Sequence, residues 1–236
     1  MSARLASFRG PSTPSSSPVV QQVRSPTKPT QSAARKPPES TYHRMVRASL
    51  QELRTACRTW DDLVRKDGLK AIRELIDART DLGNMLALVP DGEQPRSRIV
   101  GPKLSYMDER IAAIELVVSK LGKQFQKMNT IVEGMEALLA DAHKAKGWEW
   151  VCSEPMWTTW PMEKFVTDIS DILWPYRLSL ELHVEILDTL RSHDVSFETS
   201  RKVANTWVEQ PNLEDDSWDA KWEDLCEVEI DRWDAR

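Results

Sequence analysis

The sequence predicts an all-α protein, an elongated antiparallel helical bundle or coiled coil that follows a disordered N-terminal tail. Two observations support this fold class. Beyond residue 41, large apolar residues recur at alternating steps of four and three, which is the spacing of one helix face. Residues 1–41 instead hold about half of the serine and proline of the whole chain and almost no large apolar side chains. Burial there cannot offset the loss of chain entropy, so we expect disorder.

The tail and the rest of the chain carry opposite charges. Residues 1–40 contain six basic residues and one acid, or +5, and the whole chain carries −5, so residues 41–236 carry −10. An acidic folded part argues against direct nucleic-acid binding, which needs basic residues concentrated on one face. No apolar run approaches the roughly 20 residues that cross a bilayer, so we expect no membrane partner. Three widely spaced cysteines indicate a reducing compartment.

Three sites in the tail fit proline-directed phosphorylation, because Thr13, Ser17 and Ser25 each precede a proline. Ser25 is also followed by Lys28, a basic residue at the position that cyclin-dependent kinases favour. Each phosphate would add about −1.5 to −2 charge to a basic segment. The tail is also rich in arginine and serine, as mitochondrial presequences are, but its prolines prevent an amphipathic helix beyond residue 10. Mitochondrial import is therefore kept only as an alternative.

Residues 42–145 are predicted to form an N-terminal helical, coiled-coil region. A first helix over 42–65 carries an a/d seam, and Gly68 is expected to break or bend it before a second helix at 69–88. Prolines and glycines over 89–103 predict a loop. The seam of the first helix consists of Val46, Leu50, Leu53, Cys57, Trp60 and Val64.

The next helix has the longest apolar repeat in the chain. Its seam extends without a slip over roughly 50 Å, and a heptad repeat of that length must face another helix. The pattern leaves open whether that helix belongs to this chain or to a partner. The seam residues are Met107, Ile111, Ile114, Val118, Leu121, Phe125, Met128, Val132, Met135 and Leu139.

Residues 146–236 are predicted to form a C-terminal helical region with a Trp-Pro block and an acidic, tryptophan-rich end. The tryptophans within 145–160 predict an irregular segment that is packed down. Thr159 is the expected N-cap of a helix that reaches about residue 193, with Pro161 in its first turn. Pro175 should kink that helix near Asp171.

Two further helices are predicted downstream. One begins near Ser196 and ends at Gln210-Pro211. The other covers about 215–234 and carries Trp218 and Trp222 on its apolar side. These tryptophans either cover the end of the bundle or anchor in the groove of a partner, where tryptophan is a favoured hot-spot residue.

No catalytic, metal or cofactor signature is found, and the protein is predicted not to be an enzyme. The four histidines have no cysteine or histidine at ligand spacing and are expected on solvated helix surfaces. Gly122-Lys123 lacks the earlier glycine of a phosphate-binding loop. Cys57 lies in a heptad core position, where an inert buried thiol is expected.

Two motifs stand out in the C-terminal half: TTWPMEKFVTDISDILWPYRLSLELHVEI, residues 158–186, and VANTWVEQP, residues 203–211. These motifs resemble the cyclin-dependent-kinase-2-interacting protein family. In that family a T-W-P turn opens a helix with a Phe and then a Tyr-Arg pair, and a later helix ends in a Trp three residues before Gln-Pro. The match is tightest over about 157–215 and weaker over 44–90, and Pro175 departs from the pattern.

This resemblance implies a non-enzymatic adaptor in the nucleus, with the cytoplasm as a second location. The family is linked to cell-cycle kinases, replication and DNA-damage checkpoint factors. It also serves as a subunit of an assembly with a AAA ATPase and a second small helical subunit, which acts in large-ribosomal-subunit maturation and replisome turnover. We therefore expect a heteromer rather than a homo-oligomer. The resemblance makes these residues its conformational signature and partner-binding candidates: Trp160, Pro161, Phe165, Tyr176, Arg177, Trp207, Gln210 and Pro211.

A second hypothesis comes from the long heptad. The protein could instead be a structural coiled-coil subunit of a stable assembly, such as a chromosome-segregation complex, if the seam at 107–139 faces a partner chain. Charged residues at Phe125 and Met128 would then abolish heteromer formation, whereas an internal seam predicts an unfolded monomer.

Overall fold

Every regular element in the described part of the chain is a helix. The computed structural model describes residues 39–90 and 92–232, and no β-strand occurs among them beyond an isolated bridge between Pro155 and Pro161. The predicted all-α class is therefore confirmed. Residues 1–38 of the predicted tail lie outside the described residues, and so do the three phosphorylation candidates.

The first helices form one nearly continuous helical stretch. Helix α1 covers Thr41–Asp62, a π-helical segment follows at Leu63–Gly68, and α2 covers Leu69–Ala87. The predicted break at Gly68 is wrong, because the chain passes through this glycine in a wider helical turn. A π-helical turn adds a residue to the coil and thereby turns the following side chains to a new face.

Helix α3 extends over Ser97–Lys146 and has 50 residues, which corresponds to roughly 75 Å. The predicted loop at 89–103 is therefore too long, since α3 already begins at Ser97 and contains Gly101 and Pro102. Pro102 is close to the helix start, so its missing N–H removes only one intrahelical hydrogen bond. Gly147 ends α3 with a φ of +88°, a conformation that glycine adopts without strain.

Four helices follow α3 through the middle of the C-terminal half. They are α4 at Trp148–Ser153, α5 at Met162–Ser170, α6 at Leu173–Arg191 and α7 at Phe197–Glu209. The irregular segment predicted for 145–160 is therefore shorter, because its first part forms α4. As predicted, Ser196 starts α7, and its side-chain oxygen accepts a hydrogen bond from the Thr199 N–H at 3.1 Å.

The bend predicted near Asp171 is confirmed as a two-residue break between α5 and α6. Asp171 and Ile172 separate the two helices. Pro175 consequently lies in the first turn of α6, where a proline removes no intrahelical hydrogen bond.

The single last helix predicted for 215–234 is wrong. The chain instead forms two short helices, α8 at Trp218–Lys221 and α9 at Glu223–Cys226, and a π-helical segment at Glu227–Asp231. Trp222 lies between the short helices and carries a φ of −111°, which interrupts regular helix geometry.

The principal helices pack antiparallel to one another. Ion pairs connect progressively later residues of α3 to progressively earlier residues of α2, the π-helical segment and α1. These pairs are Lys103–Asp81, Arg110–Glu74, Lys120–Asp67 and Lys127–Glu52. Helix α6 lies along α3 as well, where Arg191 pairs with Glu115 at 2.9 Å.

The seam of α3 is filled by this chain's own helices. Helices α1, α2 and α6 all pack against α3, and the chain from Glu39 onward forms one compact unit. Val117, Ile131 and Leu138 are buried in addition to most of the predicted seam residues. The buried face is wider than an a/d seam because it contacts helices on more than one side. No helix in the described range is long and apolar enough to cross a membrane.

Candidate functional site

The ten partner-binding candidates differ in their exposure to solvent. Pro161 and Trp160 are half-buried, and Arg177 and Pro211 are exposed. The other six are buried in the chain's own core: Phe165, Tyr176, Trp207, Gln210, Trp218 and Trp222. In this conformation these six side chains pack inside the bundle, and Trp222 also lines a cleft at its surface.

Trp207 joins α7 to the π-helical segment. Its indole N–H donates a hydrogen bond of 3.0 Å to the Val64 carbonyl, and its ring lies against Gly68. A Cβ atom at Gly68 would lie 2.4 Å from Cζ2 of Trp207. Glycine at this position therefore provides space for a tryptophan 139 residues later in the chain.

Gln210, directly after α7, binds the C-terminal end of α1. Its Oε1 accepts a hydrogen bond of 2.8 Å from the Trp60 indole, and its Nε2 donates one of 3.2 Å to Asp61. Gln210 also has a φ of 46°, the left-handed conformation that usually falls to glycine at a helix C-terminus. Its buried side-chain hydrogen bonds hold a conformation that is uncommon for a residue with a Cβ.

His183 lies in the core between two of these tryptophans. Its ring centroid is 4.4 Å from that of Trp207 and 6.1 Å from that of Trp60. Its Nδ1 lies 2.5 Å from the Ser179 carbonyl oxygen, to which it donates. Burial lowers the pKa of this histidine, so it is neutral at pH 7. The expectation that all four histidines lie on solvated surfaces is wrong for His183, which packs on the apolar face of α6.

The predicted N-cap role of Thr159 is wrong. Its hydroxyl donates instead to the carboxylate of Glu229 at 2.5 Å, and helix α5 begins without a side-chain cap. Glu229 also accepts hydrogen bonds from the backbone N–H groups of Thr158, Thr159 and Trp160, at 3.1, 3.0 and 3.4 Å. One buried carboxylate from the C-terminal π-helical segment thus binds the whole Thr-Thr-Trp turn.

Glu229 stays charged because of these hydrogen bonds. Burial alone raises the pKa of its carboxyl, but the hydrogen bonds from Thr159, Trp160 and Thr158 outweigh burial and hold the pKa below its ordinary value. Sequence analysis missed this residue, since an acid within a strongly acidic segment has no local signal. Its partners lie about 70 residues earlier in the chain.

The preceding part of the Trp-Pro block packs against α1, as the tryptophan content predicts. Trp157 is buried, and its indole N–H donates to the Glu39 carboxylate at 2.8 Å. His43 Nε2 donates to the Met156 carbonyl oxygen at 2.5 Å, which fixes the other side of the same turn. Trp148, at the start of α4, is different, because 66 % of it is exposed.

Trp218 and Trp222 cover one end of the bundle. Their rings stack on each other with centroids 6.1 Å apart, and the Trp222 centroid is 6.2 Å from that of Trp160. The Trp218 indole donates to Glu223 at 2.9 Å, and Glu223 also pairs with Arg54 of α1. Both tryptophans are buried and cover this end of the bundle, and the anchoring of a partner by them stays a prediction.

Two buried titratable groups in this core, Cys57 and Tyr176, have pKa values above the ordinary ones. Burial raises the pKa of Cys57 to about 12, and burial also raises the pKa of Tyr176. A thiol with such a pKa is not a nucleophile at neutral pH. Within residues 39–232, Asp91 apart, no cluster of histidine, cysteine and acidic residues is arranged to hold a metal ion.

Trp174 is an exposed aromatic residue that was not among the predicted candidates. Trp174 is 62 % exposed and lies in the first turn of α6, three residues before Arg177. Arg177 is exposed too and forms an ion pair with Glu181 at 3.0 Å. The available signal was the position of Trp174 outside the apolar face that Ile172 and Tyr176 define, because a large aromatic side chain there has no core to enter.

The comparisons with known proteins give no family for this chain. No protein-family model matches it, and no curated protein matches it either. The resemblance to the cyclin-dependent-kinase-2-interacting protein family therefore stays a prediction that rests on the motifs in residues 158–186 and 203–211.

Proposed function

We propose that this protein is a non-enzymatic adaptor or scaffold subunit that acts in the nucleus. The family resemblance supports this function and supplies the proposed partners: a AAA ATPase with a second small helical subunit, a cyclin-dependent kinase, and replication and checkpoint factors. In this proposal the ATPase supplies the energy for large-ribosomal-subunit maturation or replisome turnover. The helical adaptor recruits the substrate.

The observation that carries the proposal is the outward-facing Trp174 on a bundle that buries most of the partner-binding candidates. A tryptophan that is 62 % exposed leaves most of its apolar surface in solvent. Tryptophan and arginine are the residues most enriched at interface hot spots, and Arg177 lies one helical turn after Trp174. We assign the partner-contacting role to this face of α6, and the buried signature residues hold it in place.

The structural coiled-coil alternative was motivated by the apolar seam over 107–139, and helices of this chain already pack against that seam. The seam over 107–139 contacts α1, α2 and α6, so it does not require a partner chain to cover its apolar residues. A heteromer can still form, but through a surface other than this seam.

Affinity purification of the tagged protein from its own cells tests the proposal. We expect recovery of a AAA ATPase and a second small helical subunit in fixed ratio, measured by quantitative mass spectrometry. A matched purification of the Met128→Lys variant, which removes the fold, controls for proteins that bind the tag. Recovery of a stable set of coiled-coil proteins without an ATPase would contradict the adaptor function and favour the structural subunit.

A further inference from the structure

A cleft lies beside the Trp-Pro block, between α5 and the junction of α8 and α9. Its aromatic walls are Trp160 and Trp222, and Ile172 and Leu225 add apolar surface. The cleft has a volume of about 310 Å³. This value is at the lower end of the range of about 300–1,000 Å³ for small-molecule sites, so the cleft suits one long side chain better than a cofactor.

Two carboxylates from the end of α5 also line the cleft. Asp168 is half-buried and Asp171 is exposed, and neither forms an ion pair with any other described residue. Lys221 is the cation in the lining, but it already pairs with Asp216. The cleft therefore combines an apolar aromatic wall with uncompensated negative charge at its edge.

The ring of Trp160 already accepts a cation from this chain. The ammonium group of Lys164 lies 4.2 Å from the ring centroid of Trp160, well within the distance of about 6 Å at which a cation is attracted to the π-face. Lys164 takes this position although Asp168 lies four residues later on the same helix, at a spacing that favours an ion pair. The electrostatic environment of Trp160 thus favours positive charge.

We infer that the cleft between Trp160 and Trp222 binds a basic side chain, arginine or lysine, of a partner polypeptide. The alkyl part of such a side chain would lie against Ile172 and the tryptophan rings, and its charged end would meet Asp168 and Asp171. Charge complementarity selects this occupant, because an acidic or neutral side chain would leave both carboxylates uncompensated. The inference rests on the proposed adaptor function and names the chemistry of the recognised partner.

Titration of the full-length protein with capped five-residue peptides tests this inference. The peptides carry a central arginine, lysine or glutamine between glycine and serine residues, and the indole N–H resonances of ¹⁵N-labelled tryptophans are followed by NMR. We expect saturable shifts of the Trp160 and Trp222 indoles with the arginine and lysine peptides, with a Kd of about 1–10 mM. The glutamine peptide should cause none, and the affinity should fall as salt is added.

Matched variants separate binding from folding. The double change Asp168→Asn with Asp171→Asn should lower the affinity for the arginine peptide at least tenfold. If the double variant is unstable, the single change Asp171→Asn, at an exposed position, replaces it as the test. Lys164→Gln should tighten binding about threefold, because it removes a competing cation. Glu163→Gln, on the same helix but outside the cleft lining, should leave the affinity unchanged.

Two outcomes would overturn the inference. One is the absence of saturable shifts at Trp160 and Trp222 with either basic peptide, and the other is equal affinity in the wild-type and asparagine variants. If the tagged protein still recovers its partners in that case, only this inference fails. If the cleft binds the basic peptides and no ATPase assembly is recovered, the adaptor function fails instead.

Discussion

Gly68 lies against the indole of Trp207, so even a methyl group cannot be added there without moving the ring. We predict that Gly68→Ala destabilises the protein by about 2 kcal/mol, because overpacking exceeds the gain in helix propensity. Gly83→Ala is the matched control, since it lies in α2 with no atom within 4 Å of the added Cβ. That change should be neutral or stabilise by up to about 1 kcal/mol. Urea unfolding followed by circular dichroism measures both, and equal effects would contradict the packing of Trp207 on Gly68.

Glu229 gives the protein a specific sensitivity to acid. Its pKa is lower in the folded protein than its ordinary value of 4.5, so its stabilising effect is fully present above that value. The effect is lost as pH falls through the lower folded pKa. We predict that Glu229→Gln costs about 2–3 kcal/mol at pH 7, because the turn at Thr158–Trp160 loses a charged acceptor.

The difference between wild type and Glu229→Gln should therefore shrink from pH 5 towards pH 3, as measured by urea unfolding at each pH. Glu227→Gln is the control, because Glu227 is exposed on the same π-helical segment. A difference that stays constant with pH would show that the carboxylate of Glu229 is not held ionised by the turn.

At the level of single residues, the sequence predicted apolar burial well and polar burial poorly. Most seam positions of α1 and α3 are buried, since their spacing alone places them on one face. Glu229 and Gln210 are buried as well, and their hydrogen-bond partners come from distant segments of the chain. His183 bonds Ser179 on its own helix, but the rings that it packs against, Trp60 and Trp207, are also distant. A local pattern contains no information about such partners.

At the level of elements, the seam of α3 explains how the helices are held together. Met128 is completely buried in it, and a lysine there would place an unpaired charge in the core at a cost above about 4 kcal/mol. We predict that Met128→Lys unfolds the protein, as seen by circular dichroism and size-exclusion chromatography. Gln126→Lys, two residues earlier at an exposed position, should fold as the wild type does. A folded Met128→Lys monomer that has lost a partner chain would contradict the internal seam.

The existence of the main helices was predictable, but their ends and interruptions were not. The two-residue break before α6 follows from Pro175, a local cause that the sequence contains. At the π-helical segment Leu63–Gly68, the Val64 carbonyl and Gly68 instead contact Trp207, a partner from a distant part of the chain. The last helix is interrupted at Trp222, whose ring packs over the bundle against Trp160.

Across the whole molecule, distant parts of the chain bind at the start of α1 and farther along it. Glu39 and His43 bind the Trp-Pro block, and Arg54 pairs with Glu223 of the acidic C-terminal segment. Most of the predicted candidate residues are buried. The position of Trp174 outside the apolar face of α6 indicates exposure, but its extent also depends on which helices cover α6.

The most direct test of the central claim compares two exposed tryptophans in tagged protein purified from its own cells. Trp174→Ser should abolish recovery of the AAA ATPase and the small helical subunit, while Trp148→Ser should retain both. Neither change should shift the melting temperature by more than about 2 °C, because both side chains are mostly exposed. Undiminished recovery of both partners with a folded Trp174→Ser variant would contradict the claim that this face of α6 binds them.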